Sequence, residues 1–350
     1  MSPESIRYNI EVDEEGFPVF DGLRVEDAEL LRIFFGSIRR EGEGMASRIF
    51  ATCEGETCRV LSFDAPLVAQ SVSDVGSEES TWNFLGAVSH VVKHQHIEED
   101  EWHRLHAWVG PKRLPAVLSR KAQAAFLQRA PIEGLKPPFF RGNDRAQGAA
   151  FWQAAYLEGK DGWEMGRVNP ILPVLGPAVL SRVQGPILVP GAGRGHEAAW
   201  FADQGRDCVA LDLAPQAKTE FQAAYRASRV DYRIEDFFAH ARAHPARYGA
   251  IYENVFYCAL EPRQRRAYWQ AMQNLLAPGG RLFGSFFTDA NQGGPPFGTT
   301  QWELREHSKA QFEVRDWRYP KEVHPKRAYV ELWTELVSKG ASTETTRPSR

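Results

Sequence analysis

Three glycines at alternate positions, Gly191, Gly193 and Gly195, follow the short apolar run Ile187-Leu-Val-Pro190 and lead into the helical pattern Glu197-Ala-Ala-Trp-Phe201. A strand that turns sharply into a helix through glycines constrains the fold more than any other segment of this chain. Glycine lets the backbone bend tightly and lets a ligand approach the main chain. The next apolar run, Cys208-Val-Ala-Leu-Asp212, ends on an acid. In nucleotide-type sites a carboxylate at this place accepts hydrogen bonds from ribose hydroxyls. The pattern therefore predicts an α/β sheet that binds an adenosine-containing cofactor.

Glycine spacing narrows the cofactor. A dinucleotide fingerprint reads G-x-G-x-x-G/A, with a small residue where the helix packs on the strand. Here the third glycine comes one residue early and the sixth position is His196. A cofactor without a pyrophosphate does not need the helix N-terminus kept clear for phosphates. The G-x-G-x-G form with a downstream acid resembles the Rossmann-like methyltransferases that use S-adenosyl-L-methionine (SAM), and a NAD-dependent oxidoreductase is the disfavoured alternative.

Strand patterns follow at Ile187–Pro190, Cys208–Asp212, Asp231–Ile234, Ala250–Asn254 and Arg281–Phe287, with helical stretches at Glu197–Gln204, Lys218–Ala227 and Pro262–Leu276 between them. Strands alternating with helices imply a parallel sheet with right-handed crossovers. Two further strand patterns, Phe312–Arg318 and Ala328–Leu336, are joined by a segment too short for a crossover helix and predict an antiparallel hairpin. Five parallel strands plus a closing hairpin is the sheet of class I SAM-dependent methyltransferases. The N-terminal part predicts a small α+β accessory domain, with strands in Tyr8–Phe20 and Ser47–Val72 and a helix within Val25–Arg39. The expected organisation is an N-terminal domain over 1–135, a proline- and glycine-bearing linker over 136–150, the methyltransferase domain over 151–337 and a small, polar, disordered tail over 338–350.

From residue 150 to 337 the chain resembles the thiopurine S-methyltransferase family, in particular its thiol and halide methyltransferase branch. The segment Phe151-Trp-Gln-Ala-Ala-Tyr156 with Asp161-Gly-Trp-Glu-Met-Gly-Arg167 and Pro170 matches the aromatic entry pattern W-x3-W-x6-W-[DE]-x-G-R-x-x-P, with Tyr156 in place of the middle tryptophan. The glycine loop and Asp212 match next. Glu235-Asp-Phe-Phe238, Tyr252-Glu-Asn-Val-Phe-Tyr-Cys-Ala-Leu-Glu-Pro262, Leu276-Ala-Pro-Gly-Gly280 and Gly293-Gly-Pro-Pro-Phe297 complete the set. Glu253 and Asn254 depart from the family pattern F-D-Y-x-F-F-C-A-I-E-P, which bears on substrate choice more than on cofactor. More weakly, Phe34–Gly44, Cys53-Glu-Gly-Glu and Phe63-Asp-Ala-Pro-Leu-Val68 resemble a family of small proteins of unknown function.

The resemblance implies a SAM site built from Trp152, Tyr156, Trp163, Gly166, Gly191, Gly193, Gly195, Asp212, Asp236, Phe237 and Asn254. Aromatic faces beside a cation contribute roughly 0.5–2 kcal/mol per contact, which gives Trp152, Tyr156 and Trp163 a physical role. Asp236 is expected to accept from the adenine amino group, with Phe237 over the ring. Tyr257, Pro295 and Phe297 are expected along the wall facing a small thiol or halide acceptor. An ionised thiol is a good nucleophile without a base, so no catalytic residue is assigned and Cys258 is read as buried packing. Methylation of another small molecule, or an idle SAM-binding module acting as an interaction protein, remain the alternatives.

No metal is assigned. Five of the ten histidines lie between His90 and His106, and His90 and His94 have helical i,i+4 spacing, but Glu98–Glu101 interrupts them with solvated charge. Cys53 and Cys58 have the wrong spacing for a zinc pair, and four cysteines are too few for a disulfide scaffold in 350 residues, which fits a cytoplasmic setting. A net charge of −3 offers no field for nucleic acid or an anionic membrane, and no apolar run reaches the length of a membrane span. The pattern assigns no oligomeric state.

Overall fold

The computed structural model describes residues 6–42, 48–53, 55–100, 102–130, 148–289, 294–324, 327 and 330–339. The linker expected over 136–150 lies outside the described residues up to 147, as does the tail beyond 339. The chain divides into two compact units, residues 1–142 with 289–304, and residues 143–288 with 305–350.

The second unit carries a seven-stranded sheet. Its strands are β1 (Ile187–Pro190), β2 (Cys208–Asp212), β3 (Asp231–Ile234), β4 (Tyr248–Asn254), β5 (Leu276–Phe287), β6 (Phe312–Arg318) and β7 (Glu331–Ser338). Their order across the sheet is β3-β2-β1-β4-β5-β7-β6. The first five run parallel, and β7 inserts antiparallel between β5 and β6. This is the expected sheet with its closing hairpin. Helices α1 (Ala149–Leu157), α2 (Ile171–Leu180), α3 (His196–Asp203), α4 (Pro215–Ala224), α5 (Phe237–Ala243) and α6 (Arg265–Leu275) accompany it. β1 is buried along its whole length, as a central parallel strand covered on both faces must be. Phe201 of α3 meets Tyr252 and Phe283 edge-on in the core. The strand β5 begins earlier than its apolar pattern suggests. Leu276 pairs with Tyr248, and the register then shifts before Arg281 pairs with Ala250. Ala277-Pro-Gly-Gly280 thus forms an irregularity inside the strand, where a turn motif alone reads as a loop.

The first unit contains six-, three- and four-stranded sheets with helices at Ala28–Ser37 and Arg120–Leu127. Asp27 caps the first helix by accepting from the Glu29 and Leu30 N–H groups. Residues 289–304 belong here for visible reasons. Arg104, paired with Asp64 at 2.5 Å, lies 4.3 Å from the Trp302 ring, and Trp102 meets Trp302 edge-on at 4.7 Å. The Trp302 N–H donates to the Phe63 carbonyl at 2.8 Å. Pro295 and Phe297 are therefore parts of the first unit, and Phe297 is buried.

The helical spacing of His90 and His94 does not apply. Ser89–Lys93 is a strand paired with Glu79–Asn83, and His94 starts a short 3-10 turn. His103 and His106 instead pair with Glu99 and Asp100, at 2.5 and 2.8 Å.

Gly195, at φ +71°, caps the start of α3, and a Cβ there would lie 2.4 Å from the Phe221 ring. Both the left-handed backbone and the ring contact oppose a side chain. Gly195→Ala is expected to destabilise the second unit by about 1–3 kcal/mol. Thermal unfolding of the full chain checks this, and an unchanged Tm would mean that the turn has a different backbone.

Candidate functional site

The site grows from the turn after β1. Gly191, Gly193 and Gly195 have φ of +59°, +54° and +71°. Left-handed backbone at alternate positions turns successive peptide groups to the same side of the loop. The Asp212 carboxylate, at the end of β2, fixes that arrangement. Its Oδ2 accepts from the Gly193 N–H and its Oδ1 from the Ala214 N–H, both at 2.9 Å. On the other side the Tyr232 hydroxyl donates to the Gly193 carbonyl at 2.5 Å. Burial raises the Asp212 pKa, against the pull of the backbone N–H groups of Ala214, Gly193 and Leu213. A cofactor with a ribose hydroxyl fits such a half-buried acceptor beside an open backbone cradle. A Cβ on Gly193 would stand 3.1 Å from the Tyr156 hydroxyl, so only glycine lets Tyr156 approach the loop this closely.

The aromatic entry segment lies over this loop. Trp152 meets Trp163 edge-on at 5.4 Å, and Tyr156 meets Trp163 at 5.7 Å. Tyr156 packs with Ala214 and Ala217, which anchors α1 at the β2–α4 turn. The Gln216 N–H also donates to Gln153 at 2.8 Å. Gly166 sits at φ +71° with its N–H directed to Glu164.

A charged latch joins the two segments. His196 Nε2 meets Glu164 Oε1 at 2.8 Å, and its Nδ1 meets the Tyr225 hydroxyl at 2.6 Å. Arg194 pairs with Asp161 at 2.6 Å, with Glu164 at 3.2 Å and with Glu220. Burial alone would raise Glu164, but His196, the Gly166 N–H and Arg194 hold it down at about 2. Burial opposes charge on His196 too, and Glu164 outweighs it, so the His196 pKa is raised.

The C-terminal end of β4 is the third wall. Val255, β-branched, has φ +56°, a backbone conformation that costs of order 1–3 kcal/mol and persists only where its surroundings hold it. Here the Val255 N–H donates to the Ser285 carbonyl at 3.0 Å. Glu253 holds the turn from inside. It accepts from the Phe256 and Tyr257 N–H groups and from the Tyr268 hydroxyl, and burial pushes its pKa up to about 7. Asn169 is fully buried and bridges the elements. Its side-chain amide donates to Asn254 at 3.1 Å and to Glu331 at 3.2 Å, and its own N–H donates to Glu197 at 2.9 Å. Arg327 completes the group, paired with Glu331 at 2.9 Å and donating to the Trp163 carbonyl.

The structure thus gathers Trp152, Tyr156, Trp163 and Gly166 around Gly191, Gly193, Gly195 and Asp212, and brings Asn254 in through Asn169. Asp236 caps α5 by accepting from the Ala239 N–H at 2.8 Å. Phe237 packs against Phe238 and Phe256, at 5.2 and 5.3 Å. Tyr257 is fully buried, and its hydroxyl meets His307 at 2.9 Å and Trp269 at 3.4 Å. It presents no accessible surface to an acceptor in this state. The Cys258 thiol, pushed up to about 12 by burial, donates to the Val255 carbonyl at 3.0 Å. Sequence reasoning missed the latch and the Asn169 network. Glu164 was visible as the acid of the entry pattern, and His196 as the residue that breaks the dinucleotide spacing. Nothing in the linear sequence pairs them.

The sheet order, the glycine loop with its acid and the aromatic segment over it define a Rossmann-like class I methyltransferase, whose cofactor is SAM. Residues 147–337 match the model of the family described as Thiopurine S-methyltransferase (TPMT), and the chain belongs to that family. It is 32% identical over 151 residues to probable thiol methyltransferase 2 of Arabidopsis thaliana, covering 42% of this chain and 66% of the plant protein. It is 31% identical over 186 residues to the thiopurine S-methyltransferase of Azotobacter vinelandii, covering 47% of this chain and 84% of that protein. Thiocyanate methyltransferase 1 of Brassica oleracea is 32% identical over 152 residues, covering 42% of this chain and 66% of its own. The chain spans just under two thirds of the length of the two plant relatives.

The latch carries a pH dependence. Glu164, lowered in the fold, contributes stability above its ordinary carboxylate range that is lost only as pH falls through about 2. His196, raised in the fold, contributes stability that is complete below its ordinary value and is lost as pH rises through the folded value. The charged pair therefore holds in mild acid and loosens on the alkaline side. Hydrogen-exchange protection of Phe151–Gly166, corrected for intrinsic exchange at each pH, is expected to fall as pH rises through the His196 titration. In His196→Gln the protection should be lower and flat. A parallel fall in both proteins would show that His196 is not the group responsible.

Proposed function

We propose that this protein transfers the methyl group of SAM to a small, soft nucleophile, a thiol before a halide, by direct in-line displacement. The observation that supports the reading best is the aromatic cluster of Trp152, Tyr156 and Trp163 packed over the Asp212-held glycine loop. Relatives named for thiol, thiocyanate and thiopurine methylation give the acceptor class.

SAM supplies an electrophilic methyl on a sulfonium, so the residues of this chain have to bind, orient and exclude water rather than activate the donor. Asp212 would accept from the ribose hydroxyls with the lone pairs its two backbone donors leave. The backbone of Gly191, Gly193 and Gly195 would line the cofactor. Trp152, Tyr156 and Trp163 would turn aromatic faces to the cation and cover it, with Gly166 letting the segment bend back. Asp236 would accept from the adenine amino group and Phe237 cover the ring. Asn254, held in orientation by Asn169, would stand at the carboxyl end of the sheet, where open α/β sheets place ligand contacts.

The reading uses no protein base. Glu253, the carboxylate at the end of β4, is fully buried and spends its oxygens on two backbone N–H groups and Tyr268. Cys258 stays protonated at neutral pH and is not a relay. An acceptor that brings its own negative charge suits such a site; an alcohol or amine does not. All four cysteines are free thiols, which fits the cytoplasm, and among the described residues no helix is long and apolar enough to cross a membrane.

Turnover of thiols of different acidity tests the proposal. At subsaturating thiol the rate should rise with pH toward each thiol's own pKa, about 8.5 for a cysteine-like thiol and lower for an aromatic one. One fixed titration shared by every thiol would reveal a protein base and overturn the reading. Turnover of an oxygen or nitrogen acceptor alone would end the thiol reading. SAM binding without turnover of any acceptor would leave a SAM-binding module.

A further inference from the structure

We infer that Glu235, His240 and His244, at the β3–α5 junction, form a site for one divalent transition-metal ion of the Zn2+ type. One ligand atom from each of the three lies within 4.8 Å of the others. Two imidazoles and a carboxylate suit Zn2+, Co2+ or Ni2+ better than Mg2+ or Ca2+, which prefer all-oxygen sites.

Two further features of the cluster bear on an ion. His240 lies on α5 and His244 is the residue just past its end, four positions on; their rings stack at 4.1 Å with a 20° tilt, and His244 Nδ1 meets the His240 carbonyl at 3.1 Å. The i,i+4 spacing brings two imidazoles to one edge of the chain, as in chelating histidine pairs, and the stacked rings part by a turn of His244 for both to face one ion. His240 is fully buried and held at both nitrogens. Its Nδ1 faces Glu235 Oε2 at 2.9 Å and its Nε2 faces the Tyr248 hydroxyl at 2.6 Å. A ligating histidine has this form, with one nitrogen toward the ion and the other toward a partner that fixes the ring. In a tetrahedral zinc site the bonds are about 2.0–2.2 Å, so neighbouring ligand atoms stand roughly 3.3 Å apart. Glu235 and His240 are already closer than that. An ion replacing the proton between them needs an opening of a few tenths of an ångström, and a rotamer adjustment of His244 brings the third donor in. Water would fill the remaining position.

The site has a structural consequence for the cofactor cradle. The Glu235 N–H donates to the Asp212 carbonyl at 3.0 Å, and the next residue, Asp236, caps α5. An ion on the Glu235 carboxylate would fix this residue between α5 and the end of β2. In the linear sequence the cluster is only an acid followed five and nine residues later by histidines, less conspicuous than the histidine-rich 90–106 stretch.

Full-length protein, stripped with EDTA and dialysed, tests the inference. Titration with Co2+ should give visible d–d absorption that saturates near one equivalent, and Zn2+ should displace it and raise Tm. His244→Ala should fold normally, because His244 is only half-buried, and weaken the first equivalent at least tenfold. Glu235→Gln should do the same. No Co2+ spectrum, or a spectrum and Tm shift unchanged in both variants, would overturn the site and assign the ion to adventitious binding by other histidines.

Discussion

The Asp212 carboxylate is the interaction on which the second unit's ligand-binding end depends. A loop with three left-handed glycines has many accessible conformations and no side chains to pin it. Two charge-assisted hydrogen bonds from one carboxylate, to Gly193 and Ala214, select one of them. Bonds of this kind contribute roughly 1.5–3 kcal/mol each, because leaving either donor or the buried acid without its partner costs the full desolvation of that group. The same carboxylate faces the place where a ribose is expected. On the proposed reading, building the loop and binding the ligand draw on one residue, and an acid ends β2 although burial disfavours its charge.

From that fixed loop, the latch and the β4 turn extend outward. Arg194 and His196 are the residues between and just after the glycines, so their side chains leave a backbone held at Gly193 by Asp212 and Tyr232. They reach Asp161 and Glu164, and the entry segment is thereby registered on the loop by charge as well as by the aromatic contacts. The strained Val255 turn is held on the opposite side by Glu253 and Ser285. Asn169 ties the two sides together through Asn254, Glu197 and Glu331. Buried polar networks of this kind rigidify when every member is satisfied, and they are costly when one is removed.

Much of this was legible in the chain. Strand-helix alternation gave the parallel sheet, because the apolar runs of Ile187–Pro190 and Cys208–Asp212 are short, continuous and followed by turn signals. The closing hairpin followed from the short segment between its strands. Family motifs placed the aromatic trio. The interactions that hold the site could not be read. Glu164 and His196 are 32 residues apart, and Asn169 and Glu331 are 162 apart. Such pairs exist only through the fold. Tyr257 shows the converse limit. A tyrosine after β4 suggests a wall residue, but its burial depends on Trp269, Phe286 and His307 arriving from three other segments. Pro295 and Phe297 belong with the first unit because Trp302, a few residues on, meets Trp102 edge-on and lies under Arg104 there, a contact that local sequence cannot announce. His90 and His94 failed as a helical pair because β-strand pairing of Ser89–Lys93 overrode their spacing.

The central claim is that one carboxylate both builds the loop and binds the cofactor, and calorimetry of SAM binding to Asp212→Ala measures it most directly. The variant removes the side-chain acceptors of two backbone N–H groups and the ribose partner together, and Asp212→Asn, which keeps one acceptor oxygen but loses the charge, separates the effects. The account predicts a folded protein in both cases, with SAM affinity lowered by roughly 1.5–3 kcal/mol in Asp212→Ala and by less in Asp212→Asn. Unchanged SAM affinity in a folded Asp212→Ala protein would contradict it and place the cofactor elsewhere.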